Sequence, residues 1–265
     1  MCSSLKPKLI INTDMQKKKI KIHIKEEAKL AKRSLERFIR KGDQEKLHKF
    51  RVEIKKLRAV ASLIEQTTPL INIRRELKPV KETYQLSGQV RDSYLHVKLA
   101  KKLSEVSEEY LSAEKLAMKK AARKLRKRRA HHSKMVNRAS RKLVKRMPKV
   151  KNKNISRFYD RELLGIDGCL TSNTGVEQMH DCRKRLKVLL YNLPLVGGVL
   201  NVTVNEDYLQ QVQTAIGDWH DHVLAAEQFP ELGDKSEELL HEVKILTENF
   251  YARATTIATA SIKKS

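Results

Sequence analysis

Apolar positions recur at helical spacing along most of the chain, and the breaks between runs fall at turn residues. From about residue 26, Leu30, Leu35, Phe38 and Ile39 mark one helix, broken at Gly42-Asp43. A second helix is predicted over 44–66, ending before Thr67-Thr68-Pro69. A third covers roughly 73–104, with Pro79 in its first turns or at a kink. A long fourth runs from about 107 to 147 and is closed by Pro148 and the polar, basic string Lys149 to Asn154. The composition of 166–175 marks a loop, and helices are expected at about 176–193, 205–228 and 235–260, the last two separated by Pro230 and Gly233. The segment Ile20-Lys21-Ile22-His23-Ile24 alternates with period two and fits both a short strand and a helical lead-in. No βαβ alternation and no Gly-rich phosphate loop is found, so the expected class is all-α.

The chain also repeats itself. His48-Lys-Phe-Arg51-Val-Glu-Ile54-Lys55-Lys-Leu57 aligns with His180-Asp-Cys-Arg183-Lys-Arg-Leu186-Lys187-Val-Leu189. A second match follows each copy, Val90-Arg-Asp92 through Val97 against Ile216-Gly-Asp218 through Val223. Two motifs in the same order imply a duplicated helical unit, a pseudo-symmetric pair and not a solenoid. The expected organisation is one domain over 15–265 with halves of about 15–110 and 111–265, and residues 1–14 as a flexible N-terminal stretch.

Charge changes the picture most. The 265 residues carry 56 Lys+Arg against 31 Asp+Glu, a formal charge of +25, which opposes compaction and attracts polyanions. At 40% hydrophobic residues the chain is not a disordered basic tail. On a helix turning about 100° per residue, His48, Arg51, Lys55 and Arg58 share an arc of about 80°. Phe50, Ile54, Leu57, Ala61 and Ile64 lie opposite. In the second copy His180, Arg183 and Lys187 line up, opposite Cys182, Leu186, Leu189 and Leu193. Between Lys115 and Lys153 there are 18 Lys+Arg and no acid. Within that run Arg123, Lys127, Lys134, Arg138, Arg141 and Lys145 fall in an arc of about 60°, a row of about 33 Å on one straight helix. A solvated face normally mixes signs; these stripes do not, and they recur in both halves.

Other chemistry is weaker. Cys2, Cys169 and Cys182 are too few and too scattered for a disulfide framework or a zinc site, so reduced thiols and a cytoplasmic setting are expected. Val188 to Asn205 is uncharged for 18 residues, but Asn192, Pro194, Gly197 and Gly198 interrupt it, so it reads as a helix end entering a loop and no membrane partner is expected. In His220-Asp221-His222 the two histidines point about 160° apart on a helix and cannot share an ion, so no metal and no cofactor are expected. No acidic cluster sits on a basic stripe to hold the metals of phosphoryl transfer, which argues against an enzyme. Non-specific RNA or DNA binding is the main rival, since any chain of this charge binds nucleic acid. Yet aromatics make up only 5% of the residues, and Trp219 and most Tyr and Phe fall at apolar positions, leaving little for base stacking. A third reading is an accessory domain of a phosphohydrolase or phosphotransfer enzyme.

The duplicated H-x-x-R-x-x-[IL]-K signature at 48–55 and 180–187, each followed by its [VI]-x-D segment, resembles the CHAD domain, a histidine-containing α-helical domain. The resemblance extends from about residue 20 to 260. It implies two similar four-helix bundles around a basic cleft or pore that binds inorganic polyphosphate. By motif match His48, Arg51, Lys55, Arg58, His180, Arg183 and Lys187 line that cleft. The family's second copy often carries a further basic residue near its end, where this chain has Leu190 and Tyr191, which leaves the second stripe one cation short, so the halves need not contribute equally. The combined expectation is a polyphosphate-binding module without chemistry, its site formed by those seven residues and the six-cation row. It would sit in the cytoplasm, at polyphosphate granules or on free chains. Histidines 48 and 180 add donors most strongly when protonated.

Overall fold

The computed structural model describes residues 13–68, 70–101, 106–171, 175–228 and 234–257. Its described residues are almost entirely helical, all-α apart from one small two-stranded ribbon. Two compact units divide at Pro148–Lys149, one made of Lys19–Glu65 with Leu70–Pro148 and the other chiefly of the residues from Lys149 onward. The divide keeps residues 111–148 with the first unit, beyond the halving point at 110 expected from the repeat.

In the first unit α1 (Thr13–Lys41) and α2 (Gln44–Thr67) form a hairpin closed at the expected Gly42-Asp43 turn. Gly42 adopts φ +73, which costs a glycine little, and its N–H donates to the Phe38 carbonyl at 2.7 Å. The Asp43 carboxylate accepts from the backbone N–H groups of Glu45 and Lys46 and so caps α2. The alternating segment at 20–24 is helical. Ile20 and Ile24, one turn apart, are fully buried, while Ile22 points out at 45% exposure. Burial at i and i+4 decides a pattern that period two alone left open.

Pro79 lies in a 3₁₀ segment, Arg74–Val80, that precedes α3 (Lys81–Ala100). Side chains meet across α1–α2 (Ser34 with Glu53, Lys56 with Glu27), α2–α3 (Arg51 with Tyr84, Arg91 with Glu45) and between α3 and α4 (Glu108–Lys127, through His96 with Glu114). In the first two helix pairs the residue numbers run in opposite directions, and for α3 and α4 His96–Glu114 together with Glu82–Arg128 do the same, so successive helices are antiparallel. Phe38, Leu47, Phe50, Ile54, Leu57 and Leu63 fill the space between them.

The single long helix expected over 107–147 is corrected to two. Arg128, at φ −113 and ψ 29, interrupts it between α4 and α5 (Arg129–Arg146). No proline or glycine stands there; side chains make the bend. Arg128 Nη1 donates to Glu82 Oε1 at 2.5 Å, and His132 Nδ1 pairs with Thr83 Oγ1 at 2.9 Å, fastening both sides of the junction to the start of α3. From there α4 packs along α3, and α5 along the 3₁₀ segment. Glu76 of that segment, 3% exposed, draws in Arg75, Lys142 and Arg146.

In the second unit α6 (Asn152–Thr171) runs through 166–171, where a loop was expected, because Leu163 and Ile166 continue its buried face. It is antiparallel to α7 (Val176–Val196): Tyr159 Oη donates to the Leu189 carbonyl at 2.8 Å, and Arg185 Nε to Glu162 Oε2 at 2.7 Å. The same pairing brings Cys169 to Cys182, which form a disulfide, correcting the expectation of reduced thiols for this pair. The uncharged stretch ends α7, passes a 3₁₀ turn and becomes β1 (Val202–Val204). No helix among the described residues is long and apolar enough to cross a membrane.

Then come α8 (Glu206–Gln228) and α9 (Asp234–Thr247). The helix expected over 235–260 stops at Thr247. Asn249 turns the chain in the left-handed region, α10 (Phe250–Ala254) adds one turn, and β2 (Thr255–Ile257) pairs antiparallel with β1, Val204 opposite Thr255. Both strands are runs of β-branched residues, which suit a pleated ladder better than a helix.

Candidate anion-binding site

The motif helices fold as their patterns require. On α2, Phe50, Ile54, Leu57, Ala61 and Ile64 are buried; on α7, Cys182, Leu186 and Leu189 are buried at 1% exposure or less. The opposite faces carry the cations. His48 is exposed, while Arg51, Lys55 and Arg58 are half-buried, as are His180, Arg183 and Lys187.

The arginines do not stand free in solvent. Arg51 reaches across to α3, where its Nη1 donates to the Tyr84 carbonyl at 3.1 Å. Its guanidinium lies over the Tyr84 ring, 4.6 Å from the centroid, and that of Arg58 lies against the same ring at 3.9 Å. Tyr84 thus organises two cations through its ring face. Neither arginine has an acidic partner among the described residues, and burial pushes the Arg58 guanidinium below its ordinary range, with Arg51 adding to the effect. Room for Arg51 comes from Gly88: a Cβ there would lie 2.6 Å from its Nη1.

The second unit uses a similar device. Arg183 reaches across to α8 and lies on Gly217, where a Cβ would collide with its guanidinium. Its Nη1 is 3.8 Å from Asp221 Oδ1, a carboxylate that is 70% exposed, and its buried Nε has no hydrogen-bond partner among the described residues. Beside it the His180 and His220 rings stack with centroids 4.2 Å apart, and the Nδ1 atoms of both also lack a hydrogen-bond partner. Leu190, aligned with Arg58, is buried. At the position aligned with Gly217 the first unit has Arg91, whose charge bears on His48. The first unit is therefore the more cationic of the two.

The six-cation row is divided by the bend at Arg128. Arg123 and Lys127 belong to α4; Lys134, Arg138, Arg141 and Lys145 belong to α5 and span about 16 Å. All six are exposed, and none pairs with an acid among the described residues. The straight row of about 33 Å is replaced by two shorter ones.

Tyr84, Gly88, Gly217, Arg91 and His220 were not assigned to the site from sequence. The available signal was an isolated glycine inside a helical pattern, at 88 and at 217, which commonly marks a close approach.

Both motif histidines have lowered pKa values, His48 through burial and then Arg91, His180 through burial and then His220. In the free protein they gain their protons below the ordinary 6.5. A bound anion favours the charged form, so the complex holds more protons than its parts, and affinity for an anion rises as pH falls. The rise therefore lies to the acid side of the range from about pH 8 to 6 in which unperturbed histidines would place it. Binding measured on that acid side should tighten in the native chain and flatten in the His48→Gln/His180→Gln variant; an unflattened profile would show that the histidines take no part.

No curated protein and no solved structure matches the chain. Residues 26–230, which contain both motif helices and α3 to α6, match the family model of the CHAD domain. The chain belongs to the CHAD domain family.

Proposed function

We propose that this chain binds inorganic polyphosphate and holds it without chemistry, each of its two duplicated halves offering a cationic stripe. The observation that carries the reading is the paired placement of Arg51 and Arg183. In each unit a motif arginine is drawn half out of water onto a glycine of the following helix with no carboxylate close enough to hydrogen-bond it. Keeping a cation there is costly unless an anion completes its shell. Guanidinium forks match phosphate oxygens in pairs, and the lysines at 55 and 187 add point charges. Family membership and the charge of +25 support the same ligand class. The stripes offer cations and few rings, which suits an anion made only of phosphate better than one with bases to stack.

The test is competition. Labelled long-chain polyphosphate bound at physiological salt should resist displacement by RNA, DNA and orthophosphate at equal phosphate concentration. Displacement by RNA or DNA at parity would favour general polyanion binding instead.

A further inference from the structure

A second cationic concavity lies entirely within the first unit, between α1 and the α4–α5 junction, with a volume of about 980 Å³. Arg33, Arg37 and Arg40 face it from α1, and Arg126 and Arg129 face it from the junction. None of the five belongs to the motif stripes or to the six-cation row, and all are exposed without an acidic partner among the described residues. On α1 the three arginines fall within an arc of about 60°, while Ala31, Leu35 and Phe38 on the other side are buried, so the helix can hardly turn them elsewhere.

The lining is selective in residue type. It contains five arginines and one lysine, Lys32, in a chain whose 56 basic residues comprise 20 Arg and 36 Lys. A surface built only for net charge would carry lysine in proportion. Five planar forks converging on one concavity suit a ligand presenting several tetrahedral oxyanions close together. From Lys32 to Arg40 the helix advances about 12 Å, which bounds the ligand's length. Among the described residues no aromatic side chain lines the groove, so it offers a nucleobase no ring to stack on. The one acid present, Glu36, is already engaged by Lys32 at 3.7 Å and by the Ser133 hydroxyl at 3.1 Å.

We infer that this groove is a separate binding site for a compact anion carrying several phosphate groups, a short oligophosphate. The inference goes beyond the proposed function and does not depend on it.

Tripolyphosphate is the probe, titrated calorimetrically into the full chain. Arg33→Ala/Arg37→Ala/Arg126→Ala should weaken it at least about tenfold, the scale of several lost charge-assisted bonds. Arg37→Lys/Arg126→Lys, which keeps the charge and removes the forks, should weaken it about threefold or more. Glu36→Gln should tighten it, an effect of opposite sign that misfolding cannot imitate. Arg157→Ala, an exposed arginine on α6 outside the groove, the motif stripes and the row, should leave it unchanged. Tripolyphosphate affinity that survives the triple alanine variant, or that Arg157→Ala lowers as much as the triple variant does, overturns the inference. A chain that takes tripolyphosphate in the groove and ignores long polyphosphate contradicts the proposed function alone.

Discussion

Polyphosphate affinity should fall log-linearly with salt and steeply. If six phosphates are neutralised together, the slope expected for a single-stranded polyanion is about −4, and raising salt from about 50 to 200 mM costs about 300-fold in affinity. Each exposed cation removed should lower the slope by about 0.7. Lys127→Ala, Arg138→Ala and Arg141→Ala are the cleanest substitutions, because these side chains are exposed. Their combination should reduce the slope by about 2 while leaving the thermal midpoint in place. Arg51 and Arg183 need a different approach, since truncating half-buried cations disturbs the fold as well as the site. Gly217→Ala is the better probe. The new methyl group displaces the flexible end of Arg183 from α8, and alanine's helix propensity, better than glycine's by about 1 kcal/mol, offsets the crowding. Affinity should drop while stability stays within about 1 kcal/mol of the native chain. Equal affinity in Gly217→Ala would remove Arg183 from the site.

The second large effect concerns the support of α7. Tyr159 is fully buried between α6 and α7, and burial holds its phenol far above the ordinary range, so it stays a neutral donor to the Leu189 carbonyl. Leu189 follows Lys187 by half a turn, so the contact fixes the helix that carries the second motif. Tyr159→Ala should cost about 3–5 kcal/mol, as for other large aromatic truncations, measured by urea unfolding. Tyr159→Phe keeps the ring and loses one buried hydrogen bond, for about 1 kcal/mol. A cost for Tyr159→Ala no larger than that for Tyr159→Phe would mean that the ring contributes nothing to packing.

Local rules recovered much of the fold. The Gly42-Asp43 turn, the end of α2 and the buried faces of α2 and α7 follow from periodicity and turn chemistry, because each depends on neighbours within a turn or two. What failed depended on partners distant in sequence. The bend at Arg128 is made by Glu82 and Thr83, about 45 residues away, while its own neighbourhood reads as uninterrupted helix. The strand at 255–257 exists because Val202 to Val204 pair with it. The disulfide follows from the antiparallel packing of α6 on α7, which cysteine spacing alone does not report. At the site, the histidine, arginine and lysine positions were legible as stripes. The rings and glycines that seat them lie on the next helix and carry no charge to draw the eye. The groove arginines of α1 are inconspicuous in the sequence for a related reason. Glu26, Glu27 and Glu36 mix signs along that helix, although Glu27 turns inward to Lys56 and only Glu36 reaches the groove.

Chain length gives the most direct test of an extended cationic track. It should be run in the Arg33→Ala/Arg37→Ala/Arg126→Ala background, so that the groove contributes nothing to short ligands. A tethered chain lets each further phosphate bind as an effectively intramolecular event, whereas orthophosphate must overcome the entropy of association with few contacts. The account predicts that affinity climbs from orthophosphate through tripolyphosphate to long chains, and levels off only after many phosphates. Tripolyphosphate binding as tightly as a long chain in that background would contradict it.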